Sequence, residues 1–234
     1  MHISLCDYLY DMTQLFMLAV SFYKPVEYFS GSFNRLVTWM TSGEFCHCEL
    51  VVQTKPEDIM KTIKTVHTSA RDQKYSEEDC KRIIQAIEIN FFDDVHFRKA
   101  VQSSDVITLS FSLLWGNPMS VRVLQPENES NDSWFKIPPM MKGGPVELVK
   151  MSEDPEHISK TLEFAIEELG KDYDTSGALC SWLPWGSQNQ NPTCDSYFCS
   201  EFVVLSFQRL GYMKDMSASH TTPNALYAHV TDTS

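Results

Sequence analysis

The sequence reads as an α+β chain in which short strands and amphipathic helices share one core. Three observations point there. Runs of strand length, apolar or rich in β-branched residues, recur along the chain, as in residues 45–53 and 106–114. Between them lie segments with helical spacing and their own start and stop signals, as in residues 154–169. Hydrophobic residues make up 43% and aromatic residues 12% of the 234, which is enough to bury a core and excludes global disorder.

Taken in order, residues 15–23 (LFMLAVSFY) form an apolar run that reads as a buried strand, ended by Pro25. Residues 29–40 place Phe29, Phe33, Leu36, Val37 and Met40 at near-helical spacing, and Gly43 stops that helix. Residues 45–53 read as a strand, with Cys46, Cys48 and Leu50 on one face and His47, Glu49 and Val51 on the other. Residues 66–70 are expected to be the next strand. Residues 76–102 are charged and helix-favouring, with Ser76 and Asp79 as a loose capping signal. Residues 106–114 and 121–124 read as strands around the turn Gly116-Asn117-Pro118.

Residues 126–133 are polar and loop-like, and Gly143-Gly144-Pro145 breaks the chain before a strand at 146–151. In the helix at 154–169, Asp154 is the N-cap, Pro155 takes the first position and Gly170 follows the end. Residues 182–193, rich in Pro, Gly, Asn and Gln, form a loop. Residues 199–210 form a last helix, ended by Gly211. The whole chain, 1–234, is expected to be a single domain.

Composition also excludes functions. The net charge of −12 leaves no basic face for nucleic-acid phosphates, and anionic membrane surfaces are poor partners for the same reason. No run approaches the length of a membrane span. The first twenty residues lack a basic segment and contain Asp7 and Asp11, so they do not read as a signal peptide. Seven cysteines, an odd number in a chain of this size, do not look like a disulfide framework. The expected location is a reducing compartment, the cytoplasm. No cofactor is expected. Cys46-His47-Cys48 invites a zinc reading, but alternation turns the two thiols away from the imidazole and no Cys-x-x-Cys pair accompanies them, so no metal site is expected.

Three residues carry the chemistry. His47 and Glu49, two apart on a strand, lie side by side on one face. Cys199 opens a helix, where the positive end of the helix dipole favours a thiolate. Val203, Phe207 and Leu210 form a stripe by which that helix packs on a sheet, leaving Cys199 at an exposed tip. Together they offer an activated nucleophile, a base and a residue that orients the base. Glu201 in the first turn opposes a thiolate by its charge, so the His47 imidazolium is the expected stabiliser. The competing reading is bland: a small apolar Cys in a helix and a structural His in a strand.

The residues around these positions resemble a known family. Residues 38–52 (TWMTSGEFCHCELVV) are similar to the histidine strand of the circularly permuted NlpC-type papain-like hydrolases, whose pattern is close to T-x-G-x-[FY]-[SC]-H-x-E-[LI]-V. GKDYD at 170–174 resembles the family's G-x-x-YD element. YFCSEFVV at 197–204 resembles its cysteine helix, and TPNALY at 222–227 its C-terminal element. The order, His before Cys, is the permuted one. YiiX-like bacterial proteins, related phage and large-virus proteins and the lecithin:retinol acyltransferases share it.

The resemblance implies a permuted papain-like (NlpC-type) fold, with a central antiparallel sheet and helices packed on it. It assigns Cys199 as nucleophile, His47 as general base and Glu49 as the residue orienting His47. Residues 76–133 match nothing in the family and are expected to be an insertion. The implied activity is hydrolysis of an amide or peptide bond through an acyl-enzyme. Two alternatives stay open: acyl transfer or thioester hydrolysis on a lipid, and a non-enzymatic structural protein, such as a virion component, that keeps the fold. The expected partner is a peptide, amide or acyl substrate. For a viral member the location is the host cytoplasm or the virion.

Overall fold

Alternating side chains build the sheet. The computed structural model describes residues 16–24, 43–124, 146–181 and 196–232. The helix expected at 29–40 and the loops expected at 126–133 and 182–193 lie outside them. Every residue of β1 (Met17–Tyr23) and β2 (His47–Thr54) is buried. Their antiparallel register sets Phe22 beside Cys48, Val20 beside Leu50 and Leu18 beside Val52. These residues belong to the large apolar core. The alternate residues set Tyr23 beside His47 and Ser21 beside Glu49 on the opposite face.

β3 (Ile107–Ser112) pairs with β2, β4 (Ser120–Leu124) with β3, and β5 (Val146–Ser152) with β1. The five-stranded order is β4-β3-β2-β1-β5, all antiparallel, with β2 in the middle. The chain is therefore α+β around a central antiparallel sheet, and residues 45–53 do supply its central strand.

The helices follow their caps. α1 (Pro56–Arg71) begins with proline at its first turn and buries Ile59, Ile63, Val66 and Ala70. This corrects the strand expected at 66–70. Val66 and Ala70 continue a stripe with steps of four, three and four residues, which is a helical period and not a strand period. α2 (Glu77–Ile87) is capped by the Ser76 hydroxyl, which accepts from the Asp79 N–H at 3.1 Å. A π-helical turn, Glu88–Phe92, leads to α3 (Val95–Ser103), capped by Asp94 on the Phe97 N–H at 2.6 Å. In α4 (Pro155–Glu167) the Asp154 carboxylate accepts from the Glu156 N–H at 2.8 Å. Gly170 then takes φ +81°, a conformation that leaves glycine the residue of choice at that helix exit. Among the described residues no helix is long and apolar enough to cross a membrane.

Beyond α4 the chain forms a small parallel pair, β6 (Asp172–Tyr173) with β7 (Ser196–Tyr197), and a short helix α5 (Thr175–Cys180) capped by Asp174. α6 (Cys199–Gln208) follows at once, then a 3₁₀ turn (Ala218–His220) and α7 (Pro223–Asp232). α6 packs on the apolar face of the sheet, against β2, and is enclosed almost all round: Cys199 through Val204, Ser206 and Phe207 are buried. The span 76–133, set apart in the sequence as an insertion, supplies α2, α3 and two of the five sheet strands.

α7 holds the entry to β2. The Asn224 side chain accepts from the Phe45 N–H and donates to the Phe45 carbonyl, both at 2.8 Å, so it stands in for a neighbouring strand. Tyr227 stacks on Phe45 with ring centres 4.4 Å apart. A Cβ built on Gly43 would lie 2.1 Å from Asn224 Cγ, so the glycine of the Ser-Gly-Glu-Phe run makes room for this amide. We expect Gly43→Ala to destabilise the fold by about 1–3 kcal/mol, the usual range for overpacking. Asn224→Ala should cost a similar amount through its two lost hydrogen bonds. Because the two residues touch, the double variant should cost less than the sum of the single ones. Urea unfolding of the three variants checks this, and strict additivity would show that the contact does not exist.

Candidate active site

β2 brings the imidazole and the carboxylate together, as the two-residue spacing requires. His47 Nε2 and Glu49 Oε1 are 3.2 Å apart, and both side chains are buried. Nε2 is thereby engaged by the carboxylate, which leaves Nδ1 as the ring nitrogen for another partner. Cys199, in the first turn of α6, acts on the same ring: its charge and hydrogen bonding raise His47, and His47 in turn lowers Cys199. Of the three residues singled out in the sequence, Glu49 and Cys199 thus each act on His47.

Cys199 does not stand at an exposed tip. It is only 4% exposed. The expectation failed because α6 buries nearly its whole circumference and not one stripe. β7 runs directly into it, so the helix start is enclosed by its own approach strand.

Charges at the site depend on one another. The Cys199 thiol is held well below the ordinary thiol range. A hydrogen bond from the Cys48 thiol favours the thiolate most, burial opposes it, and the charge and hydrogen bond of His47 complete the balance. Cys48 itself is pushed up, first by burial and then by its bond to Cys199, so it keeps its proton and donates it. Burial likewise pushes Cys46 up to about 12, with the Cys199 charge adding to it. Burial alone would lower His47, but the Cys199 thiolate and the Glu49 carboxylate outweigh it and bring the imidazole up to about 9. The two shifts, down for the thiol and up for the imidazole, both favour a thiolate–imidazolium pair.

Glu49 is the most heavily contacted group of the site. Burial pushes its carboxyl up, yet Arg122, His47 and Ser110 together hold it below the usual carboxylate range. Tyr23 donates its phenol proton to Glu49 Oε2 at 2.9 Å and Ser110 its hydroxyl proton to the same oxygen at 2.6 Å. Arg122 donates to both carboxylate oxygens. All these residues sit on the second face of the sheet, where Ser21 pairs with Glu49 and Arg122 with Ser110.

Glu201 differs from its sequence reading. It is buried, it accepts from the Phe198 N–H at 3.4 Å, and burial raises its carboxyl to about 7, with Asp174 adding to the rise. Its opposition to the Cys199 thiolate is correspondingly weakened below that pH. Tyr173 of the Lys-Asp-Tyr-Asp run is also close enough to feel Cys199 and Cys48, and burial followed by those charges raises its phenol.

Sequence reasoning missed Arg122, Tyr23, Ser110 and the donor role of Cys48. A signal existed for the first: Arg122 is the lone charge in the five-residue run Ser-Val-Arg-Val-Leu. An arginine centred in a half-buried strand calls for a buried acid on a neighbour. No signal existed for Cys48, since alternation only says that it faces the core. Cys46, Cys48, Cys80, Cys180 and Cys199 are free thiols. The chain matches no protein-family model, no curated protein and no solved structure.

The linkage has a definite sign. His47 is raised on folding, so its contribution to stability is full below the ordinary imidazole value of 6.5 and is lost as pH rises through about 9. Glu49 is lowered, so its contribution is present above the ordinary 4.5 and is lost as pH falls. We expect iodoacetamide to alkylate Cys199 readily at pH 6, with a break in the rate near pH 9 where His47 gives up its proton. Cys46 and Cys48 should stay unmodified in the folded protein. In His47→Ala the alkylation limb of Cys199 should move to higher pH. Peptide mapping of the alkylated protein across pH 5–10 checks each point; a Cys199 limb unmoved in His47→Ala would remove the thiolate–imidazolium pair.

Proposed function

We propose that this chain is a thiol-dependent hydrolase of the permuted papain-like kind, cleaving an amide or peptide bond through Cys199, His47 and Glu49. The observation that carries the reading is the His47–Glu49 hydrogen bond on the central strand, with the thiol lowered at a helix start and the imidazole raised by it. The permuted fold belongs to the same proposal: the four sequence motifs support it, as does a central strand carrying His47 and Glu49 beneath a helix begun by Cys199.

The geometry gives each group a step. The Cys199 thiolate attacks the substrate carbonyl carbon, and the carbonyl electrons move to oxygen. The backbone N–H of Cys199, one of the donors that a helix start leaves without an intrahelical acceptor, faces the oxyanion so formed. The His47 imidazolium gives its proton to the leaving nitrogen as the C–N bond breaks, leaving an acyl-enzyme. The now neutral imidazole takes a proton from water, whose hydroxide attacks the thioester and releases the acid. Glu49 holds the ring in position throughout and stabilises its charged form. The free thiols fit a reducing compartment, so the cytoplasm is the proposed location.

We expect Cys199→Ala to abolish turnover and labelling by a thiol-reactive acyl probe while the fold survives. His47→Ala should lower the rate by roughly 10²- to 10⁴-fold, the usual worth of a positioned base. Glu49→Gln should be milder, because it keeps shape and hydrogen bonding. A mixed peptide and acyl-ester library, read by mass spectrometry, provides the assay. Free acid from peptides supports hydrolysis of amides. Acyl groups moved from esters or thioesters to an acceptor would replace it with the acyltransferase reading, and absence of probe labelling at Cys199 would leave a structural protein.

A further inference from the structure

On the hydrolase reading, the Cys199 thiolate and the Glu49 carboxylate are two buried anions that flank a single imidazolium. One cation cannot balance both. Arg122 lies on β4, two strands away from His47, yet its guanidinium reaches across the sheet face to both oxygens of Glu49. It does so beside Tyr23 from β1 and Ser110 from β3, which donate to the same carboxylate at 2.9 and 2.6 Å. The Glu49 side chain has no measurable exposure, so water supplies none of this compensation.

We propose that Arg122 is a positioning residue for the Cys199–His47 pair: it supplies a second positive charge at the buried carboxylate, which frees His47 to serve the thiolate. The proposal rests on the hydrolase reading and adds a residue that the sequence motifs do not contain.

With Arg122 present, thiolate, imidazolium, carboxylate and guanidinium sum to zero. Without it, the neutral arrangement is a protonated thiol beside an imidazolium already paired with Glu49. The reactive thiolate is then the state that burial disfavours. Tyr23 and Ser110 cannot replace the lost charge, since they donate hydrogen bonds without carrying it. The titratable and charged groups facing Glu49 among the described residues are Tyr23 from β1, His47 from β2 and Arg122 from β4, and Cys48 feels its charge from the opposite face. Of these, Arg122 alone is a permanent cation.

The test needs no substrate. The rate of Cys199 alkylation by iodoacetamide is followed against pH for the wild-type protein, Arg122→Met, Arg122→Lys and the double variant Glu49→Gln/Arg122→Met. In Arg122→Met the limb for thiolate formation should move up by at least about one pH unit, giving roughly tenfold slower alkylation at pH values on the rising limb, below the wild-type midpoint. Arg122→Lys, which keeps the charge but loses the two-pronged contact, should recover most of the rate. The double variant removes one charge of each sign and should return the limb toward the wild-type position.

A residue that merely packed the sheet would give a double variant no better than the single one, and that result would overturn the proposal. Should Arg122→Met fail to fold, Arg122→Lys and the double variant carry the same comparison. A wild-type Cys199 with no thiolate reactivity at pH 6 would instead overturn the hydrolase reading itself. A reactive wild-type protein whose limb is unmoved in all three variants would overturn the role of Arg122 alone.

Discussion

One buried imidazole shared between two anions is the constraint on which the rest of this structure depends. His47 meets Glu49 through Nε2 and feels the charge of Cys199, in a place where both of those residues are buried. A buried carboxylate without compensation is costly by several kcal/mol, and a buried thiolate adds to that cost. The surrounding residues answer it. Three strands contribute donors to the single carboxylate, and Cys48 contributes a thiol proton to Cys199.

The sheet makes this possible because its two faces are built differently. One face is apolar and carries the helices, with Phe22, Cys48, Leu50 and Leu109 at its centre. The other is lined along β1, β2, β3 and β4 by Ser21, Tyr23, Glu49, Ser110 and Arg122. His47 and Cys48, adjacent in sequence, belong to opposite faces, yet both reach Cys199. Cys199 sits at the very start of α6, the helix that packs against β2.

Placement of that strand start is therefore as consequential as the residues on it. Asn224 bonds both backbone groups of Phe45, two residues before His47, and Gly43 exists to admit the amide. A helix from the end of the chain thus fixes where a strand near its beginning enters the sheet. Asn224 and Tyr227 of the Thr-Pro-Asn-Ala-Leu-Tyr run thus bear on the entrance of the histidine strand, and the charge of Cys199 reaches Tyr173.

The sequence by itself determined the elements whose signals are local. Pro155 and Asp154 start a helix, Gly170 ends it, Ser76 caps α2, and the two-residue spacing puts His47 and Glu49 on one face of a strand. Each follows from backbone chemistry within a few residues. The strand expected at 66–70 was misread because five residues of Val, His, Thr, Ser and Ala fit either period, and only Ile59 and Ile63 upstream reveal the helix. Tertiary structure alone decided the rest. Burial of Cys199, the proton donated by Cys48, the neutralising of Glu201 and the reach of Arg122 to Glu49 all depend on contacts between residues distant in sequence. Electrostatics inside a protein is set by which charges burial brings together, and no period along the chain records that.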